Sequence, residues 1–171
     1  VVELGVDGPG QLKKFGSYMN ADIGVLTAIT PEHMEFFEDL DEVANEEMSL
    51  ADISKNLLIN SDLCSPEYLG RISAIFKAYA KENGADYQIT DIRFDKGTYN
   101  FEIKKHKAEW LKARHASIAE TQLYSLCAAS AVGDMLGISK DKIVAGIENI
   151  RPMSGRMQHL KGIKNSVILD D

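Results

Sequence analysis

The feature that most constrains this chain is an alternation. Short apolar runs rich in β-formers are followed, in turn, by stretches that open on helix-starting signals. Residues 1–4 (VVEL) read as a short buried strand, and residues 5–10 hold Gly5, Gly8, Pro9 and Gly10, the composition of a loop. Residues 11–19 predict a short helix. Residues 22–29 (DIGVLTAI) predict a central strand. Thr30-Pro31-Glu32 then offers an N-cap, a proline at N1 and a first-turn acid, and residues 40–51 continue as helix. Residues 57–59 predict another short strand, closed by Asn60-Ser61-Asp62. Ser65-Pro66-Glu67 repeats the starting signal. Tyr68, Leu69, Ile72, Ile75, Phe76 and Tyr79 follow at helical spacing, up to Asn83-Gly84. Residues 87–103 predict a hairpin around Asp95-Lys96-Gly97. Residues 117–136 predict a long helix stopped by Gly137, and residues 139–150 a last one before Pro152. This order predicts an α/β fold: a mainly parallel sheet flanked by helices, with the hairpin as a local antiparallel exception. No repeat, low-complexity tract or linker divides the chain.

Composition narrows the class. Twenty-six acidic against 19 basic residues give a net charge of −7, which argues against a nucleic-acid or anionic-membrane partner. With 44% apolar and 26% charged residues, 171 residues suffice for one globular domain with a core. The apolar runs fall far short of the ~20 residues of a membrane span. Cys64 and Cys127 form no CxxC and read as buried thiols of a reducing compartment, so the expected location is cytoplasmic. The chain opens on Val1 and closes on a strand-like run before Asp170-Asp171, and is expected to be a piece of a longer protein.

Ligands of open α/β sheets bind beyond the carboxyl ends of the strands, so polar residues there are candidates. Glu3 lies in an apolar run just before the glycine-rich loop. It needs a cation, a metal or a hydrogen bond, or else it faces water at an edge. His33 follows the second predicted strand and either ligates a metal or decorates a helix start. If the two strands are neighbours, Glu3 and His33 are expected to converge on one hydrated Mg²⁺. Glu32 and Glu35 read as a solvated helix face. Arg156, in a loop after Pro152, is placed either to fork onto a phosphate or carboxylate or to stand on the surface. Asp171 ends a strand, at a site or in a solvated turn. His106, His115 and His159 read as surface residues, and Lys104, Lys105 and Lys107 as a solvated basic face.

Several segments together resemble the Mur ligase family of ATP-dependent amide-forming enzymes. Glu3-Leu4-Gly5 with Pro9-Gly10-Gln11-Leu12 resembles E-x-G…P-G-x-[IL]; residues 21–40 (ADIGVLTAITPEHMEFFEDL) resemble its strand and helix; Leu58-Ile59-Asn60-Ser61-Asp62 resembles "VLNADD". Residues 91–101 (DIRFDKGTYNF) resemble its hairpin, and residues 150–157 (IRPMSGRM) with 167–171 (VILDD) its "FRPVPGRM…VIDD". The E-x-G…P-G form is most similar to the branch that adds D-alanyl-D-alanine to a UDP-muramoyl tripeptide; folylpolyglutamate and cyanophycin synthetases share the scaffold. The resemblance implies the central ATPase domain of a peptidoglycan-precursor ligase. It implies ATP and Mg²⁺ as cofactors, a UDP-muramoyl peptide and a small amine donor as substrates, and an acyl-phosphate intermediate. By position it implies Glu3 and His33 as Mg²⁺ ligands, Arg156 near the nucleotide phosphates as the catalytic residue, and Asp171 on the ribose.

The departures are specific. In Val43-Ala44-Asn45-Glu46-Glu47, Glu47 stands where the family has a carbamylated Lys that binds a second Mg²⁺. It supplies a carboxylate on a shorter arm. In Ala119-Glu120-Thr121-Gln122-Leu123-Tyr124-Ser125, Gln122 keeps an amide at the family's first Asn and Ser125 replaces the second, which helps read adenine. No G-x-x-G-K-[ST] loop occurs in these residues. The expectation is therefore a Mur-like central-domain fragment, residues 1–171, without the upstream phosphate loop or the downstream C-terminal domain and inactive alone. The alternative is a non-catalytic Mur-like binding or scaffold module.

Overall fold

A computed structural model of the chain describes residues 1–116, 119–151 and 158–170. In chain order the elements are α1 (Gln11–Gly16), β1 (Gly24–Leu26), α2 (Leu40–Met48) leading into a 3₁₀ turn (Ser49–Ile53), and β2 (Leu57–Asn60). Then come α3 (Pro66–Leu69), β3 (Phe76–Ala80), β4 (Tyr87–Asp95), β5 (Thr98–Lys105), β6 (Ala108–Ala116), α4 (Gln122–Met135), α5 (Lys140–Asn149), β7 (Gln158–Lys161) and β8 (Val167–Asp170). Strands β1 to β6 lie side by side in that order. The β1/β2, β2/β3 and β3/β4 pairings are parallel; β4/β5 and β5/β6 are antiparallel. Three of five pairings are thus parallel, and β7 and β8 form a separate antiparallel pair.

Strand β2 shows why this order is stable. All four of its residues are buried, as expected for a parallel strand covered on both faces. Successive side chains point to opposite sides. Leu58 packs with Tyr79, Tyr87, Ile103 and Leu111 under Leu123, Cys127 and Ala131 of α4 and Ile143 and Ile147 of α5. Leu57 and Ile59 pack on the other face with Leu26, Ile29, Cys64 and Ala44 of α2. A third cluster, Val6, Leu12, Phe37, Val43 and Ile53, fastens the N-terminal segment to α2. The parallel strands also approach the 3₁₀ turn closely: a Cβ on Gly24 would collide with the Ser54 side chain. Cys64 and Cys127 are both buried free thiols, as the sequence predicts.

Several local expectations fail, each for a physical reason. Residues 1–4 form no strand, and Val1 and Val2 are exposed; without a neighbouring strand their backbone groups have no ladder to join. The run 22–29 yields only the three-residue β1, at the edge of the sheet rather than its centre. Thr30-Pro31-Glu32 starts a turn, not a helix: Thr30 Oγ1 donates to Glu32 Oε1 at 2.8 Å, and His33 takes a left-handed φ of 53°. The helix begins at Leu40, where the Asp39 side chain accepts from the Glu42 N–H. The span 68–79 is not one helix. Its first turn, α3, ends at Gly70, and Phe76–Ala80 is β3, paired on both sides. Positions four apart share a face in helices and in strands alike, so spacing did not separate the two, and pairing between β2 and β4 decided it. The hairpin is extended by a third strand, β6, and His115 on it is buried, its Nδ1 3.3 Å from the Ile147 carbonyl oxygen. Lys105 is half-buried and paired to Asp134 at 2.7 Å rather than solvated. Ser117, Pro152 and the side chain of His159 lie outside the described residues.

Candidate functional site

The carboxyl ends of β1 and β2 and the loop before α1 meet at one end of the sheet. The loop is held there by α2. Gly10 has a φ of 81°, which favours a residue without Cβ. Its N–H donates to Glu46 Oε2 at 2.6 Å, and the Leu12 N–H donates to Glu46 Oε1 at 2.7 Å. Glu46 is buried, so a carboxylate from α2 supplies the acceptors that α1 lacks at its own start. Sequence reasoning missed this residue. Its signal was an acid at a core-facing position of α2, adjacent to Glu47.

Glu47 is half-buried beside it. Burial, then the Glu32 and Glu46 carboxylates, push its carboxyl above the ordinary value, against a lowering pull from His33. On its other side it helps burial push the Cys64 thiol up to about 12, so Cys64 is an inert core thiol. His33 is exposed on its turn, with Nε2 3.9 Å from Asp7 Oδ1. The structure therefore brings His33, Glu47, Glu32 and Asp7 into one electrostatic neighbourhood. Glu3 is exposed and forms no ion pair or hydrogen bond among the described residues. Among those residues, no three His, Cys, Asp or Glu groups are gathered closely enough to hold a metal ion.

A second polar group lies where β2 and β3 end beneath the start of α4. Asp62 Oδ2 accepts from the Lys81 N–H at 2.6 Å and from the Tyr124 hydroxyl at 2.8 Å; Oδ1 accepts from the Glu82 N–H at 3.3 Å. Lys81 Nζ pairs with Glu120 at 2.9 Å and lies 4.9 Å from the Tyr124 ring centroid. Gln122, half-buried, opens α4, and Ser125, exposed, stands three residues on, so both share one face of its first turn. Asp62, Lys81 and Tyr124 were not anticipated. Asp62 reads in sequence as a turn residue, and only the fold sets it under α4. Arg156 and Asp171 lie outside the described residues.

The sequence and the fold of the chain match known proteins. Residues 1–133 match the family model of the Mur ligase middle domain. A UDP-N-acetylmuramoyl-L-alanyl-D-glutamate–2,6-diaminopimelate ligase of Chlamydia felis is 26% identical over 87% of this chain and 32% of its own length. A UDP-N-acetylmuramate–L-alanine ligase of Clostridium botulinum is 23% identical over 87% of this chain and 33% of its own. The chain thus spans about a third of the length of these relatives. Among solved structures, MurF from Acinetobacter baumannii superposes with a TM-score of 0.87 at 19% identity, over 100% of this chain and 38% of that one. MurF from Thermotoga maritima, in complex with ADP, superposes at 0.82 and 19%, over 96% and 38%. At such identities the superpositions establish the shared fold, while the match over residues 1–133 establishes kinship: the chain belongs to the Mur ligase family and carries its middle domain.

Proposed function

We propose that this chain is the central, nucleotide-handling part of an ATP-dependent amide ligase of peptidoglycan precursor synthesis. The ligase activates a UDP-muramoyl peptide carboxylate as an acyl phosphate, which the amine donor then displaces. The observation that carries this reading is the middle-domain match over residues 1–133, the stretch that holds Glu3, His33, Glu47, Gln122 and Ser125. We assign D-alanyl-D-alanine as the donor from the E-x-G…P-G form and the likeness to MurF structures; diaminopimelate and L-alanine, named in the similar ligases, are the competing donors.

Magnesium suits the donors present: Glu47 is a half-buried carboxylate crowded by Glu32 and Glu46, a negative field that a hard cation relieves. The family resemblance assigns it to Glu3, His33 and Glu47, which this structure does not gather closely enough to hold an ion; bound there, it would offset charge on the transferring phosphoryl group. Glu46 keeps the Gly10 loop against α2. Gln122 offers its amide, and Ser125 its hydroxyl, to the base of ATP; Arg156 serves the phosphates and Asp171 the ribose.

The test uses the full-length protein that contains this chain. ADP release should require the UDP-muramoyl tripeptide and D-alanyl-D-alanine, and His33→Ala should reduce kcat/KM by about 100-fold or more. Strict dependence on another donor would reassign the substrate. Unchanged kinetics in His33→Ala and Glu3→Gln would remove the metal assignment. Residues 1–171 alone should show no turnover, since they hold no G-x-x-G-K-[ST] loop. Glu47 and Ser125 at the family's Lys and second Asn favour a second reading, a binding module that has lost its chemistry. Nucleotide binding without turnover by the full-length protein would select it.

A further inference from the structure

The open face of β4–β6 carries a second site candidate, far in kind from phosphoryl chemistry. Its origin is a bulge. Ile89 pairs with Ile103 and Thr90 with Glu102, but the next pair is Arg93 with Asn100, so Asp91 and Ile92 together oppose Phe101. Asp91 takes a left-handed φ of 51° to make this possible. Without the extra residue, strict alternation from Ile89 would turn Arg93 into the core. With it, Ile92 packs in the core and Arg93 stands on the open face.

That re-aiming completes a row. Arg93 on β4 pairs with Asn100 on β5, and Asn100 pairs with Arg114 on β6. Two guanidiniums therefore flank one amide across three adjacent strands, with the outer Cα atoms about 10 Å apart. All three line a groove of about 490 Å³, together with Asp91, Glu102, Lys112 and Glu148. Most of its charges are already spoken for. Lys112 holds Glu102 and Glu109, and Arg114 Nε lies 3.5 Å from Glu148. The side chains of Arg93 and Asp91 enter no ion pair or hydrogen bond among the described residues. One unmatched cation and one unmatched anion thus share a groove. Like-charged guanidiniums in one row repel unless an anion lies between them.

We propose that this groove binds a small zwitterion of the amino-acid or short-peptide class. Its carboxylate sits between Arg93 and Arg114 over the Asn100 amide, and its ammonium lies toward Asp91. Guanidinium forks match carboxylates in geometry as well as charge. A simple anion is disfavoured, because Asp91, Glu102 and Glu148 line the same groove. The proposal is independent of the ligase reading, and its test involves no nucleotide.

The test is a titration of the chain with glycylglycine, followed by ¹⁵N–¹H spectra. Amides of residues 91–93, 100–102 and 112–114 should shift saturably. N-acetylglycine, which lacks the ammonium, and glycinamide, which lacks the carboxylate, should each bind at least about tenfold more weakly. Arg93→Ala should abolish the shifts, and Arg93→Lys, which keeps charge without the fork, should weaken binding by about tenfold. If Arg93→Ala does not fold, Arg93→Lys and Asn100→Ala decide. Absence of saturable shifts, equal binding of N-acetylglycine, or unchanged affinity in the Arg93 variants would overturn the proposal.

Discussion

Two carboxylates, one beside each half of the sheet, are handled in opposite ways. In the parallel half the strands are three to five residues long, and the chain spends its polar groups where they end. There Glu47 is crowded by other carboxylates and its carboxyl is pushed up. In the antiparallel half the strands run eight or nine residues, and a carboxylate ties the layers together. Asp134 of α4 accepts from the Tyr87 hydroxyl at 2.6 Å and pairs with Lys105, which lies 5.9 Å from the Trp110 ring centroid. Burial opposes its ionisation, but the bonds to Lys105 and Tyr87 win and hold it below the ordinary carboxylate range. Glu47 is left crowded and unsatisfied, as groups in sites are, whereas Asp134 is a fastener.

The largest expected effect tests whether the halves share a core. Leu58 is fully buried and packs with residues of β4–β6 under α4, whereas Ile59 packs toward α2. Leu58→Ala should cost about 2–5 kcal/mol in urea unfolding and should speed hydrogen exchange in β5 and β6. Ile59→Ala should cost as much yet leave native-state exchange of β5 and β6 nearer the wild-type pattern. Identical exchange patterns in the two variants would break the division. Next is Glu46→Ala, which strips two buried or half-buried N–H groups of their acceptor. It should cost about 1–3 kcal/mol and raise exchange at Gly10 and Leu12 without touching the antiparallel half.

Tyr87→Phe, which removes a bond to a charged acceptor, should cost about 1–2 kcal/mol. The pH dependence of the fastener follows from its sign. Because Asp134 is lowered in the folded state, its contribution is complete above its ordinary value of 3.8 and is lost as pH falls through the lowered one. Asp134→Asn should flatten the stability profile in that acid window. Smallest is Glu47→Gln. A raised carboxyl penalises the folded state once pH passes the ordinary value of 4.5, so the variant should gain stability at neutral pH. The gain should stay under about 1 kcal/mol, because the group is partly exposed to water. It should vanish below the ordinary value. A loss at pH 7 in a calorimetric scan would mean that Glu47 is satisfied, not crowded.

What could be read from the letters was whatever rests on local chemistry. The Asp95-Lys96-Gly97 turn, the Ser139 start of α5, the apolar run 57–59 of β2 and the α/β class all follow from periodicity, turn residues and caps. The expected convergence of Glu3 with His33 is not what the structure shows: Glu3 is exposed, and His33 lies instead within electrostatic reach of Glu47. Tertiary structure alone decided the rest, because it depends on partners remote in the chain. Phe76–Ala80 became a strand since β2 and β4 offered it two ladders; residues 1–4 formed none, since no strand among the described residues pairs with them. Glu46 became a clamp because it is carried to two N–H groups more than thirty residues away. Arg93 reached the open face because a single extra residue shifted the register, which no pattern of alternation announces in advance.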